Sequence, residues 1–277
     1  MTGARPWAVV TGASSGIGAW LARGLAARGH PVWVVARRGH ALDELAAELT
    51  DRTGVDVRVS VRDLADPVAR DALCEELAAE PVAVLCANAG FPVCGPVTDN
   101  DAVREAACVE VNAVALHALT LAVLPGMSAR GRGRILVSGS TAGYQPVPTA
   151  ATYAATKAFA NTFAESLHAE LRGTGVSCTL LAPGPVRTDF YRVGGVPGLT
   201  DQKLLAWQSP RYVAEAGLRA MERGRRLSVP GPVAKAQYVV GRHLPRTVLA
   251  ATLRGTILPR LRGARAPRTV EPSARAP

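Results

Sequence analysis

Seven short, nearly continuous apolar runs punctuate the first 230 residues, at 7–11, 31–36, 56–61, 82–87, 134–138, 176–182 and 226–229. Stretches with helical spacing of apolar residues lie between them, at 17–29, 39–52, 67–80, 100–111, 113–129, 153–172 and 210–223. A strand that is apolar on both faces must be covered on both, and a helix in each connection does so. The alternation therefore predicts a doubly wound α/β fold with a central parallel seven-stranded sheet flanked by helices. No internal repeat or interdomain linker interrupts residues 1–231, which read as one domain.

Apolar residues make up 48% and charged residues 19%, which excludes a disordered chain and leaves enough material for a core. No run of about 18 apolar residues is free of charge, Pro and His, so no membrane span is expected. Met1 to Pro6 lead directly into the first strand with no room for a leader, and a cytoplasmic location is expected. Cys74, Cys86, Cys94, Cys108 and Cys178 form no CxxC and no His/Cys pattern of metal spacing. They read as reduced, packed thiols, and no metal site is expected.

The net charge of +10 is uneven: residues 1–223 hold 21 basic and 21 acidic residues, whereas 224–277 hold 11 basic residues and the single acid Glu271. The body is neutral and the excess lies in the tail. Residues 232–263 read as a basic amphipathic helical extension, with apolar spacings of three and four from Leu249 to Leu261. Such a segment either packs on the body with its arginines solvated or lies on an anionic membrane surface. Nucleic acid is not expected as a partner. The Ala/Arg/Pro-rich 264–277 is expected to be disordered.

Between the first strand and the first helix stands Thr11-Gly12-Ala13-Ser14-Ser15-Gly16-Ile17-Gly18. Gly12 permits a tight turn, Gly16 admits a pyrophosphate to the backbone, and Gly18 allows close helix–strand packing. Ser14, Ser15 and Ile17 complete the candidate contacts, and the helix N-terminus offers free N–H groups to phosphate. After the second strand come Arg37 and Arg38, where an acidic residue would suit a ribose 2′-hydroxyl. They read either as a site for a 2′-phosphate or as two solvated arginines. Asp63-Leu64 and Asn88-Ala89-Gly90 follow the third and fourth strands, at the carboxyl edge where such folds bind ligands.

Tyr153 and Lys157 are spaced i, i+4 at the start of a helix and share a face. A phenol titrates near 10, and an adjacent ammonium helped by a cationic ring would favour its phenolate, which needs roughly 3–4 kcal/mol of differential stabilisation. Alone the pair would mean little. Ser140, 13 residues earlier and past the fifth strand, supplies a hydroxyl able to hold a carbonyl oxygen, with Ser138 and Thr141 as neighbours. Asn112 offers an amide able to bend a helix or hold a water.

With TGASSGIG (11–18), CANAG (86–90), VNA (111–113), SGS (138–140), YAATK (153–157) and PGPVRTDF (183–190) in this order, the chain strongly resembles the short-chain dehydrogenase/reductase family in its single-domain form. The resemblance covers residues 6 to about 230 and implies a Rossmann fold. It implies Tyr153 as general acid/base, Lys157 lowering its pKa and holding a nicotinamide ribose, Ser140 polarising the carbonyl, and Asn112 supporting a proton-relay water. Pro183, Gly184, Val186 and Thr188 would cradle the nicotinamide, Asp63 and Leu64 the adenine, and Asn88, Ala89 and Gly90 the ribose region. Ala87 stands where the family often has Asn. A small carbonyl or alcohol substrate and a homodimer or homotetramer are likewise implied.

The stretch 190–209 carries Phe190, Tyr191, Val193, Val196, Leu199, Leu204, Leu205 and Trp207 beside Gly194, Gly195 and Gly198. It reads either as a mobile lid over a hydrophobic substrate, fatty-acyl, steroid-like or polyketide-like, or as a short helix packed on the core. The expectation is an NADP(H)-dependent reductase or alcohol dehydrogenase, with NADP preferred over NAD. A catalytically silent NADP-binding sensor or scaffold is the alternative. An epimerase or dehydratase of the extended relatives is disfavoured by the glycine spacing and chain length.

Overall fold

The computed structural model describes residues 5–196 and 207–264, and side chains as far as 255. The expected disorder of the terminus, and Gly198, Leu199, Leu204 and Leu205 of the lid segment, fall outside the described residues.

Seven parallel strands form one sheet: β1 (Trp7–Thr11), β2 (Val32–Ala36), β3 (Val57–Val61), β4 (Val82–Ala87), β5 (Gly133–Ser138), β6 (Val176–Leu181) and β7 (Leu227–Ser228). Their order is β3-β2-β1-β4-β5-β6-β7. The chain first builds outward from β1 to β3, then returns to β4 on the other side of β1. The order reverses beside β1, and that switch point opens a crevice at the carboxyl ends of β1 and β4.

Alternation along each strand divides the core in two. Val9, Leu85, Ile135 and Leu180 face α3 (Pro67–Ala79), α5 (Leu116–Ala129) and α6 (Ala151–Glu170), meeting Leu73, Leu119, Val123, Met127 and Ala164. Ala8, Val10, Val84 and Leu136 face α1 (Gly16–Ala26), α2 (Gly39–Thr53) and α8 (Pro210–Glu222), meeting Leu21, Leu42, Leu49, Val213 and Leu218. Both faces are covered, as the near-continuous apolar runs require.

Two features position the site. First, α4 (Ala102–Val109) runs through a π-helical turn at Glu110–Ala115 into α5, where sequence spacing places only a break. By length and hydropathy the joined helix Ala102–Ala129 could cross a membrane. Its Leu116, Leu119, Val123 and Met127 instead lie in the core. Second, the C-terminal segment forms two helices, α9 (Pro232–His243) and α10 (Arg246–Ala264), separated at Leu244-Pro245. Pro245 lacks an N–H and restricts the residue before it to extended backbone, which Leu244 adopts at φ −79°, ψ 146°. The remaining short helix, α7 (Phe190–Val193), carries the described start of the lid segment.

Candidate active site

A cleft of about 600 Å³ opens at the switch point, lined from Arg37 and Asp63 at one end to Tyr153 and Phe190 at the other. Its floor is the glycine loop. Gly12 and Gly16 have φ of +67° and +57°, backbone that favours glycine. A Cβ on Gly18 would lie 2.2 Å from the Gly12 carbonyl oxygen and 2.7 Å from Asn88 Nδ2, so the helix meets the loop with no room for a side chain. Thr11 Oγ1 accepts from the backbone N–H of Asn88 and of Ala89, both at 3.0 Å. Asn88 Nδ2 donates to Thr11 O at 3.1 Å, and Ser138 Oγ donates to Asn88 Oδ1 at 2.9 Å. Asn88 therefore ties the ends of β1, β4 and β5 together beneath the cleft.

At the far end the arginines are engaged. Arg38 Nη2 donates to Ser15 Oγ at 2.7 Å and to Ser14 Oγ at 3.1 Å, clasping the loop. Arg37 pairs with Asp63 at 3.6 Å, both exposed. Arg62, which sequence reading passed over, lines the same end. Arg62 pairs with Glu76 at 2.7 Å, so three guanidinium groups meet two carboxylates, an excess of positive charge that suits a phosphate. The glycine cradle, the N-terminus of α1 and this cationic end fit the pyrophosphate and ribose of a dinucleotide.

Ser140 lies just past β5, and its Oγ accepts from Ala142 N at 3.1 Å to open the turn Thr141–Tyr144. Helix α6 then carries Tyr153 and Lys157. Lys157 is 5% exposed, donates from Nζ to Ser138 O at 2.7 Å, and lies 5.9 Å from the centre of the Tyr153 ring. Burial draws its ammonium down from 10.5 to about 8. Burial pushes the Tyr153 phenol above its ordinary value, with a hydrogen bond from Ser140 pulling against it. Desolvation is the larger of these two causes.

Of the expected residues, Gly18 and Asn112 do not line the cleft, whereas the others do. Gly18 packs beneath the loop. Asn112 sits in the π turn, 2% exposed, behind Gly90 and Lys157. Its Oδ1 accepts from Phe91 N at 3.0 Å, and its Nδ2 donates to Phe91 O at 3.0 Å and Thr156 Oγ1 at 3.1 Å. The amide thereby ties the π turn to Phe91 and to α6.

Two further residues escaped the sequence reading. Asn161, one turn beyond Lys157 and 2% exposed, accepts from Ser140 N at 3.2 Å and donates to Ser140 O at 2.9 Å. Its i, i+4 relation to Lys157 was the available signal. Gln237 of α9 lines the cleft and accepts from Thr141 Oγ1 at 3.2 Å, across 96 residues of chain. No local pattern announces it. The wall opposite is aromatic: Tyr153, Phe190 and Tyr191 line it with successive edge contacts at 5.4 and 5.6 Å between ring centres, and Trp207 backs Tyr191 at 5.3 Å. Arg104 of α4 donates to Val193 O, and Cys94 N donates to Gly194 O at 3.2 Å, holding this segment down.

A parallel sheet with a glycine cradle at its switch point and a cleft running from it defines a dinucleotide-binding protein of the doubly wound class. The short chain dehydrogenase family matches residues 6–193, and the chain belongs to that family of oxidoreductases. It is 34% identical over 196 residues to a very-long-chain 3-oxoacyl-CoA reductase of Anas platyrhynchos, covering 68% of this chain and 62% of the relative. It is 37% identical over 199 residues to sulfoacetaldehyde reductase 2 of Chromohalobacter salexigens, covering 70% and 78%. The match thus spans about three fifths of the length of the first relative. Among solved structures, a short-chain dehydrogenase from Sphingobium yanoikuyae in complex with NADPH superimposes with a TM-score of 0.78 at 29% identity, covering 98% of this chain and all of that one. A bulky-bulky ketone specific alcohol dehydrogenase from Comamonas testosteroni gives 0.74 at 27% identity, covering 96% and 99%.

Proposed function

We propose that the protein interconverts a ketone and an alcohol with NADP(H), with Tyr153 as the general acid/base. The observation that carries this reading is the convergence of Tyr153, Ser140 and Lys157 on the cleft that also holds the glycine cradle. A nicotinamide bound there supplies or accepts the hydride. In the reductive direction the raised pKa of Tyr153 keeps the phenol protonated and ready to give its proton to the carbonyl oxygen. Ser140 Oγ holds that oxygen by a second hydrogen bond, and Lys157, cationic below about pH 8, stabilises the phenolate left behind. In oxidation the same groups act in reverse.

Preference for NADP is supported by Arg37, Arg38 and Arg62 at the adenosine end, and by the NADPH complex of the Sphingobium relative. A hydrophobic ketone is supported by the aromatic wall Tyr153–Phe190–Tyr191, and by relatives named for very-long-chain 3-oxoacyl-CoA and for bulky ketones. Rates with NADPH and NADH against ketones graded in size test both points. Arg37→Ala with Arg38→Ala is expected to raise the KM for NADPH about tenfold or more while leaving NADH nearly unchanged. Faster turnover of short polar carbonyls would overturn the hydrophobic substrate. A silent sensor has less support, because all four groups Asn112, Ser140, Tyr153 and Lys157 are present.

A further contact with an anionic membrane surface is supported by exposed Val239, Val240, Leu244 and Val248 beside Arg242 and Arg246 on α9 and α10. No acid occurs from 223 to 270. Sedimentation with anionic vesicles, full-length protein against a chain ending at Pro230, tests it, and equal pelleting would discard it. A homo-oligomer through exposed Val109, Leu121 and Phe159 of α4 to α6 is proposed on the same terms, and light scattering giving a monomer would refute it.

A further inference from the structure

Helix α6 opens with Ala151-Thr152-Tyr153-Ala154-Ala155-Thr156-Lys157-Ala158 and presents Tyr153 and Lys157 to the cleft. Thr156 is turned away from it: the residue is buried and does not line the cleft. A helix so rich in alanine gains nothing from a threonine at this position. Alanine has the higher propensity, and a hydroxyl that bonds back to the preceding turn tends to bend the helix. What accounts for the residue is what its hydroxyl holds.

Thr156 Oγ1 lies 2.8 Å from Tyr153 O and 3.1 Å from Asn112 Nδ2. Both directions are forced. A carbonyl only accepts and an amide nitrogen only donates, so the hydroxyl gives its proton to Tyr153 O and accepts from Asn112. The orientation of the Asn112 amide is forced in turn by Phe91, whose N–H donates to Oδ1 and whose C=O accepts from Nδ2, both at 3.0 Å. The run of bonds Phe91–Asn112–Thr156–Tyr153 therefore passes behind the cleft, and Phe91 and Tyr153 line it at either end. It joins the loop after β4, the π turn and the first turn of α6, and each bond polarises the next.

We propose that Thr156 is a positioning residue for the acid/base: its hydroxyl ties the main chain of Tyr153 to the π turn and so fixes where the phenol stands against the carbonyl. The inference rests on the reductase reading above. A phenol at the end of its side chain carries any tilt of that turn to the reacting atoms, and a displacement of about 1 Å there costs about 100-fold in rate. Cofactor and substrate are held by many other residues of the cleft, so the loss falls on kcat and not on KM.

The test follows NADPH oxidation by wild type, Thr156→Val and Thr156→Ser against the ketone turned over fastest in the graded series above. kcat is expressed per NADPH-binding site, counted by fluorescence titration. Val keeps the shape of the side chain and lacks the hydroxyl, whereas Ser keeps the hydroxyl and lacks the methyl. Tyr153 O retains the ladder bond from the Lys157 N–H that a helix provides, so the Val variant is expected to unfold within about 4 °C of wild type. Its kcat is expected to fall about tenfold or more, with KM for NADPH and for the ketone within about twofold, and Ser is expected to return kcat to within about twofold of wild type. A kcat per site unchanged in Thr156→Val, a loss that appears in KM, or an equal loss in Thr156→Ser would overturn the role of Thr156 and leave the reductase reading standing. Turnover of no ketone of the series by wild type would overturn the reductase reading and this inference with it.

Discussion

Replacing Lys157 with Met removes the charge while keeping most of the length, and it separates stability from activity. Lys157 is 5% exposed, and among the described residues its one protein acceptor is Ser138 O at 2.7 Å. Burial lowers its pKa from 10.5 to about 8. Because the native pKa lies below the unfolded one, the native state binds the proton less tightly. Below about pH 8 both states are protonated and the full penalty, about 3 kcal/mol, opposes folding. Between about pH 8 and 10.5 the native amine releases its proton first, so stability rises with pH. Above that window lysine no longer opposes folding. Met forfeits the bond to Ser138 O, about 1 kcal/mol. The variant is therefore expected to be about 2 kcal/mol more stable at pH 7, raising Tm by about 4–8 °C for a chain of this size. The gain should vanish at about pH 10 and reverse above it, leaving the variant up to about 1 kcal/mol less stable. Without an ammonium to stabilise the phenolate, kcat/KM should fall about 100-fold or more. Thermal unfolding from pH 6 to 10.5 without added cofactor, with turnover measured on the same samples, reads both effects. A Tm that falls at pH 7, or turnover that survives, would refute the reasoning.

Other outcomes follow from the same contacts. Gly18→Ala places a Cβ 2.2 Å from the Gly12 oxygen. It is expected to lose about 1–3 kcal/mol of stability and weaken NADPH binding more than tenfold, measured by unfolding and fluorescence titration. Asn161→Ala removes the acceptor of the Ser140 N–H and one of two donors to Ser140 O, which Gly143 N still reaches at 3.1 Å. It should lower kcat about tenfold with KM for NADPH unchanged, and a loss confined to Tm would reduce Asn161 to a packing role. Phe190→Ala, which removes a ring lining the cleft beside Tyr153, is expected to raise KM for long apolar ketones severalfold while sparing short ones, in steady-state kinetics.

Most strands are legible to within a residue because the central apolar runs are buried on both faces, whereas β3 and β7 at the sheet edges are only partly buried. Val32 to Ala36 are all buried, and nothing but a central strand of a covered sheet explains such a run. The glycine loop is legible for a similar reason, since φ > 0 at Gly12 and Gly16 and the contact at Gly18 each demand glycine. Spacing along one helix places Tyr153 beside Lys157. It says nothing of how deeply either is buried, and burial sets the direction of both pKa values. The π turn was visible only as a break near Asn112, because propensity does not distinguish one added residue per turn from a helix end. Gln237 was invisible, since its partner Thr141 stands 96 residues away. The periodicity of the C-terminal segment marks an apolar face without saying what it meets, so α9 read as an extension although it walls the cleft.

The central claim is that Tyr153 transfers the proton in an NADP(H)-dependent carbonyl reduction. Oxidation of NADPH by wild type and by Tyr153→Phe, against a long-chain 3-oxo ester, tests it most directly. The variant loses one hydroxyl and keeps the ring that contacts Phe190 at 5.4 Å. The account predicts turnover in wild type and a loss of about 100-fold or more in the variant, with NADPH bound equally by both. Equal turnover by the two proteins would contradict it.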